Sequence, residues 1–255
     1  MILRSYLFLL LLIIPVCATA QEVRVAVASN FIGPIKTLAG YFEETTGIRI
    51  RLAIASSGKH YAQIIHGAPY DLFLSADQHK AKLLEEQGFG LADTRFTYAI
   101  GKLVLVSFGS GADHSAELLL KAQRFGKIAL ANPKLAPYGV AAVEVLNKLG
   151  LTESTQSRWI MGENISQTFQ FLSTGNVDLG FIAQSQLVKI DIVSDKQIWN
   201  IPDELYTPIK QDALLLKRAK NNKEAFEFYR FLSSQEAQKI ITSHGYKIIN
   251  AKHGQ

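Results

Sequence analysis

The sequence has 255 residues, 48% of them hydrophobic and 19% charged, with a net charge of +5. That length carries one large or two medium domains, and so low a charged fraction excludes long disordered tracts. A single cysteine excludes a disulfide framework, a four-cysteine zinc site and an iron–sulfur cluster, while the mild positive charge admits an anionic partner without demanding nucleic acid.

Met1 to Ala20 reads as a secretory leader. Arg4 is its basic residue, Leu7 to Ile14 is an unbroken apolar run, and Ala18-Thr19-Ala20 is a small-x-small cleavage site with Gln21 as the first mature residue. The run is too short for a bilayer, which needs about 20 apolar residues. Ile14-Pro15-Val16 before Cys17 is a poor match to a lipid-attachment pattern. Cleavage removes Cys17 and leaves a thiol-free chain, which suits an oxidising exported compartment.

Val23 to Ala28 is a predicted buried strand. Ile32 to Thr45 is a helix with Ile35, Leu38, Ala39 and Phe42 at helical spacing, closed by Gly47. Arg49 to Ala53 is a second strand, Lys59 to His66 a short helix, Asp71 to Ser75 a third strand and His79 to Gln87 a third helix. The pattern then resets. Lys102 to Ser107 is a strand, followed by a helix from Ser115 to Phe125 and a strand from Lys127 to Ala131. Next come a helix from Gly139 to Leu149, a strand at Trp159 to Met161, a helix from Ile165 to Ser173 and a strand from Val177 to Ile182. Ile209 to Leu216 is one more strand, and two amphipathic helices follow at Lys223 to Leu232 and Gln235 to His244. Alternating strands and helices imply parallel or mixed sheets with helices on their faces. Two such units without a Ser- or Pro-rich tether imply apposed domains with a cleft between them.

Catalytic motifs do not assemble. Gly58-Lys59 lacks both the first glycine and the hydroxyl residue of a phosphate loop, and Gly88-Phe-Gly90 lacks the third glycine of a dinucleotide fingerprint. There is no His-Glu-x-x-His and no Gly-x-Ser-x-Gly elbow. His60 and His66 fall on different helix faces, which speaks against a shared metal. Asp71 and Asp77 flank one strand, where turn and cap hydrogen bonds are the ordinary role. An exported hydrolase with Ser57 as nucleophile and His60 as base lacks an acid to orient the imidazole.

The positive signal lies at four junctions where a strand runs into a small polar segment that opens a helix. These are Ser29-Asn30-Phe31, Ser56-Ser57-Gly58, Asn132-Pro133 through Pro137-Tyr138-Gly139, and Gly162-Glu163-Asn164 before Ile165. Such places lie outside the carboxyl ends of strands, where α/β folds hold ligands. Each helix N-terminus offers unpaired N–H groups and about half a positive charge, so four together suit a small dianion without lysine or arginine. Taken singly, Ser29, Asn30, Ser56 and Ser57 also fit as plain N-caps.

These segments resemble the molybdate-binding protein family, the periplasmic receptors of molybdate ABC importers. The resemblance rests on Ala28-Ser29-Asn30-Phe31, on Ala55-Ser56-Ser57-Gly58 and on Gly67 to Asp77. It continues through Phe96 to Leu105, Asn132-Pro133 with Ala136-Pro137-Tyr138-Gly139, and Gly180 to Ser185. It implies a two-lobed α/β fold of the type II periplasmic-binding-protein kind. Domain I would comprise residues 21–100 and 209–255, and domain II residues 101–208. It implies molybdate or tungstate held by neutral groups at Ser29, Asn30, Ser57, Tyr138 and Ile165, the last two through backbone amides. No metal–protein bond, cofactor or catalysis is expected. The partner would be an ABC permease in the inner membrane, with no nucleic acid, and the receptor would be a periplasmic monomer. Some family members add a tyrosine hydroxyl where this chain has Ala183. A receptor for another tetrahedral oxyanion such as sulfate is the alternative within the class.

Overall fold

The computed structural model describes residues 22–108, 115–190 and 196–249. The predicted leader and its cleavage point lie outside the described residues.

The first half builds β1 (Glu22–Ala28), α1 (Ile32–Thr46), β2 (Arg49–Ala55), α2 (Ser57–Ile65), β3 (Leu72–Leu74), α3 (Gln78–Glu86) and β4 (Phe96–Gly101). A 3-10 turn, Ser29–Phe31, joins β1 to α1. After β4 come β5 (Leu103–Phe108), α4 (Ala116–Lys121), β6 (Ile128–Ala131), α5 (Pro137–Lys148) and α6 (Thr152–Thr155). They are followed by β7 (Trp159–Gly162), α7 (Ile165–Ser173), β8 (Leu179–Ala183) and β9 (Lys196–Asn200). The chain ends with β10 (Ile209–Leu215), α8 (Lys223–Phe231) and α9 (Gln235–Ser243).

Two five-stranded sheets result, in the orders β2-β1-β3-β10-β4 and β7-β6-β8-β5-β9. They follow one plan. Three strands run parallel (β2, β1 and β3; β7, β6 and β8), and an antiparallel strand continues each sheet (β10 beside β3; β5 beside β8). Parallel strands need both faces covered, which is why β3, β6 and β8, and β1 from Val25 onward, read as unbroken apolar runs. The chain passes from the first sheet to the second through Lys102, between β4 and β5, and returns over residues 201–208.

Each lobe has its own core. Phe31 of the 3-10 turn and Ile35, Leu38 and Phe42 of α1 pack with Val23, Val25 and Val27 of β1 and with Phe228 and Ile241 of the last two helices. The second lobe centres on Leu103, Leu105, Leu130, Val145, Leu146 and Phe181. Residues from both lobes share that cluster: Ala28 and Ala76 join Ala136, Tyr138 and Ile165, so the lobes meet in apolar contact at the strand ends.

Several expectations shift. The strands β4 and β9 are additional to those read from the sequence. Lys102 alone separates β4 from β5, and β9 is a half-polar edge strand. The expected helix of 115–125 is shorter, because Gln123 takes a left-handed backbone (φ 54°) that ends it. Helix α2 starts at Ser57, with Ser56 as its cap, and the one-turn α6 was not expected.

Candidate functional site

A small cavity sits where the two lobes touch, lined by Ala28, Ser29, Asn30, Ser56, Ser57, Ala76, Ala136, Pro137, Tyr138 and Ile165. All five residues expected from the sequence line it. They come from the four strand-to-helix junctions after β1, β2, β6 and β7, two in each lobe. None of the ten lining residues is charged. The cavity is small, with room for roughly one water molecule. So small a space admits neither an amino acid nor a sugar. A larger groove of about 340 Å³ adjoins it through Ala76 and Pro137, and its walls combine apolar side chains with the charged Asp77, Lys80, Glu144 and Lys210.

The local folding at each junction decides what the cavity is offered. At α2, the Ser56 hydroxyl accepts the Lys59 amide (3.3 Å), which makes Ser56 a cap. The Ser57 hydroxyl accepts the Ala76 amide (2.8 Å). With that lone pair occupied, its single proton is free to donate into the cavity. At α7, the Asn164 side chain accepts the amides of Ser166 (3.0 Å) and Gln167 (3.1 Å), and its carbonyl accepts that of Thr168. The first-turn amide left over is that of Ile165, on a residue 2% exposed. At α5, Pro137 holds the first helical position and has no N–H, so Tyr138 presents the first available amide. Ser29 opens the 3-10 turn after β1, 3% exposed, and its hydroxyl has no partner among the described residues.

Asn30 departs from its expected role. It lines the cavity, but its side-chain nitrogen donates elsewhere, to Gln211 Oε1 (2.8 Å) and to the Tyr246 hydroxyl (3.0 Å). Both hydrogens of that side-chain nitrogen are therefore engaged outside the cavity. Ala183 lies away from the cavity, at the end of β8, where its amide donates to Gln186.

The other sequence candidates resolve as structural groups. The Ser57–His60 pair is not assembled: Ser57 bonds Ala76, and the His60 ring nitrogens contact Val27 O (3.1 Å) and Gln63 Oε1 (3.2 Å). Burial pushes the His60 pKa below its ordinary value, which keeps the ring neutral. Asp71 is fully buried, accepts the Arg24 amide and pairs with Arg218. Asp77 caps α3 through the Lys80 amide (2.7 Å). Among the described residues no group of three or more His, Cys, Asp or Glu could hold a metal ion.

The lobes are drawn together around the cavity. The Gly58 amide donates to Leu135 O across the interface (2.9 Å), and Ser166 Oγ donates to Ser29 O (3.1 Å). Lys59 and Glu163 pair at the rim (2.8 Å). A Cβ on residue 58 would lie 2.9 Å from Leu135 O, so glycine is what lets the α2 terminus come this close.

Comparison with known proteins agrees with this architecture. The family model described as bacterial extracellular solute-binding protein matches residues 23–247. The Molybdate-binding protein ModA of Azotobacter vinelandii is 44% identical over 229 residues, 90% of this chain and 91% of the relative. That of Rhodobacter capsulatus is 42% identical over 90% of this chain and 89% of the relative. The solved Azotobacter vinelandii periplasmic molybdate-binding protein superposes with a TM-score of 0.84 at 37% identity, covering 89% of this chain and all of its own. The two-lobed fold expected from the sequence is thus the fold observed. The chain belongs to the bacterial extracellular solute-binding proteins and, within them, to the molybdate-binding protein family.

Proposed function

We propose that the protein is a periplasmic receptor that captures molybdate, and also tungstate, between its lobes and delivers it to an ABC permease. It is a carrier without catalysis. The observation that carries this reading is a small, uncharged cavity between the lobes, lined by Ser29, Asn30, Ser57, Tyr138 and Ile165. The names of relatives at 44% and 42% identity supply the anion.

The physics favours a fully ionised dianion. Oriented donors and helix N-termini supply positive potential without a mobile cation, and they need no reorganisation when the anion arrives. Because every group offered is a donor, a protonated oxyanion such as hydrogen phosphate would bury its own proton without an acceptor, which costs about 1–3 kcal/mol. Cavity size then separates molybdate and tungstate from the smaller sulfate.

Closure would follow from rotation of residues 101–208 against the rest about the two crossings beside Gly101 and Pro208, so that the permease meets a different shape in each state. The leader at residues 1–20 supplies export. Among the described residues no helix is long and apolar enough to cross a membrane.

Thermal melts with molybdate, tungstate, sulfate and phosphate at equal ionic strength test the reading. An anion at a hundred times its Kd adds about 2.7 kcal/mol. Molybdate and tungstate should give the largest shifts. A larger response to sulfate, or none to molybdate, would overturn the reading.

A further inference from the structure

Two of the residues that line the cavity send their side chains away from it to a common point. Asn30, in the first lobe, donates its side-chain amide to Gln211 Oε1 (2.8 Å). Tyr138, in the second lobe, receives Gln211 Nε2 on its hydroxyl (3.4 Å). Gln211 belongs to β10, the strand that brings the chain back from the second lobe, and it is fully buried. Its Oε1 also accepts the Tyr98 hydroxyl from β4 (3.1 Å). The register of β10 against β4 shifts between Gln211 and Asp212, and a bulge of this kind re-aims a side chain.

Further bonds close the hub. The Tyr246 hydroxyl donates to Asn30 O (2.8 Å), and Ser185 Oγ of the second lobe donates to the same carbonyl (3.0 Å). Gly101, where the chain crosses between lobes, makes the room: a Cβ there would lie 2.1 Å from the Tyr138 hydroxyl and 2.6 Å from Gln211 Nε2. Burial raises the Tyr98 and Tyr138 pKa values well above the usual phenol value and that of Tyr246 to about 12, so the hub stays neutral.

We infer that Gln211 is a positioning residue that couples lobe closure to the anion site, holding Asn30 with its carbonyl and Tyr138 with its amide. A glutamine suits this place because one end must accept and the other must donate. When the lobes part, Tyr138 leaves and the Asn30 side stays. The hub therefore adds free energy to the closed state alone, and its loss appears in release of the anion rather than in capture. The inference rests on the oxyanion-receptor reading.

The test uses Gln211→Met, Tyr138→Phe and the double variant. Tyr138→Phe keeps the backbone amide and the ring, so it stays informative if Gln211→Met folds poorly. Tungstate release by stopped flow should quicken about tenfold in either single variant with the association rate unchanged, from loss of a buried hydrogen bond. The double variant should be no faster than the worse single one, because both remove the same link. Unchanged release, additive effects or a loss confined to association would overturn the inference.

A second arm reads closure without added anion. Spin labels on Glu44→Cys and Glu153→Cys, on exposed faces of α1 and α6, report the lobe separation in a chain whose one native cysteine lies in the leader. Both variants should lower the short-distance population, and equal populations in all chains would overturn the inference whatever anion is bound. A wild type that populates the closed state but takes up no tungstate or molybdate would instead overturn the function.

Discussion

Replacing Ser57 by alanine separates two roles that the hydroxyl holds together. In the structure it accepts the Ala76 amide at 2.8 Å, and its remaining proton is available to the cavity. Loss of one hydrogen bond to a charged ligand costs about 1.5–3 kcal/mol of binding. At about 1.4 kcal/mol per tenfold, Kd should rise by roughly ten- to a hundred-and-fifty-fold. The second consequence falls on the protein itself. Ala76 is 2% exposed, so its amide is left without an acceptor, at about 1–3 kcal/mol of folding stability. Titration calorimetry with molybdate measures the first effect, and thermal melts without anion measure the second. Both should be seen. A lowered melting temperature with an unchanged Kd would show that Ser57 only secures the segment after β3, and the proton argument would fail.

Other consequences follow from neighbouring residues. Gly58→Ala should raise Kd about tenfold while leaving the stability of the anion-free chain nearly unchanged, because its methyl meets Leu135 O only when the lobes close. A matching loss of stability without anion would refute that assignment. Lys59→Ala should change Kd less than about fivefold and its effect should vanish in high salt, since the Lys59–Glu163 pair is about half exposed; a larger, salt-independent loss would mean that the lysine acts on the anion. His60 has a folded pKa below its ordinary 6.5. Its contribution to stability is therefore complete above about pH 6.5 and is lost as the pH falls through the folded value, when the unfolded chain binds the proton more readily. Melting temperatures of the wild type should drop between pH 7 and 5 more than those of His60→Gln, and parallel curves would contradict this.

Much of this was legible in the sequence, because it is local. Strand-to-helix alternation follows from apolar period and turn residues. The four polar junctions show as Ser, Asn, Pro and Tyr between an apolar run and a helix. What was not legible depends on distant contacts. Strand β4 pairs with β10, more than a hundred residues later, and only that pairing separates it from β5. The roles of Ser56 and Ser57 could not be divided from spacing, because the partner of Ser57 is the Ala76 amide on another strand end. Asn30 reads as a donor to the ligand until Gln211 and Tyr246 arrive from the C-terminal part of the chain and claim its nitrogen. Asn164 is a legible cap, yet that its capping leaves Ile165 as the free amide emerges only from its bonds to Ser166 and Gln167.

On the proposed function, neutral donors from both lobes hold a tetrahedral oxyanion at this cavity. The most direct measurement is a crystal structure grown with tungstate and recorded at a tungsten absorption edge. One strong anomalous peak should appear between the lobes, with anion oxygens about 2.7–3.1 Å from the Ser29 and Ser57 hydroxyls and from the amides of Tyr138 and Ile165. A peak beside surface lysines, or none at saturating tungstate, would contradict it.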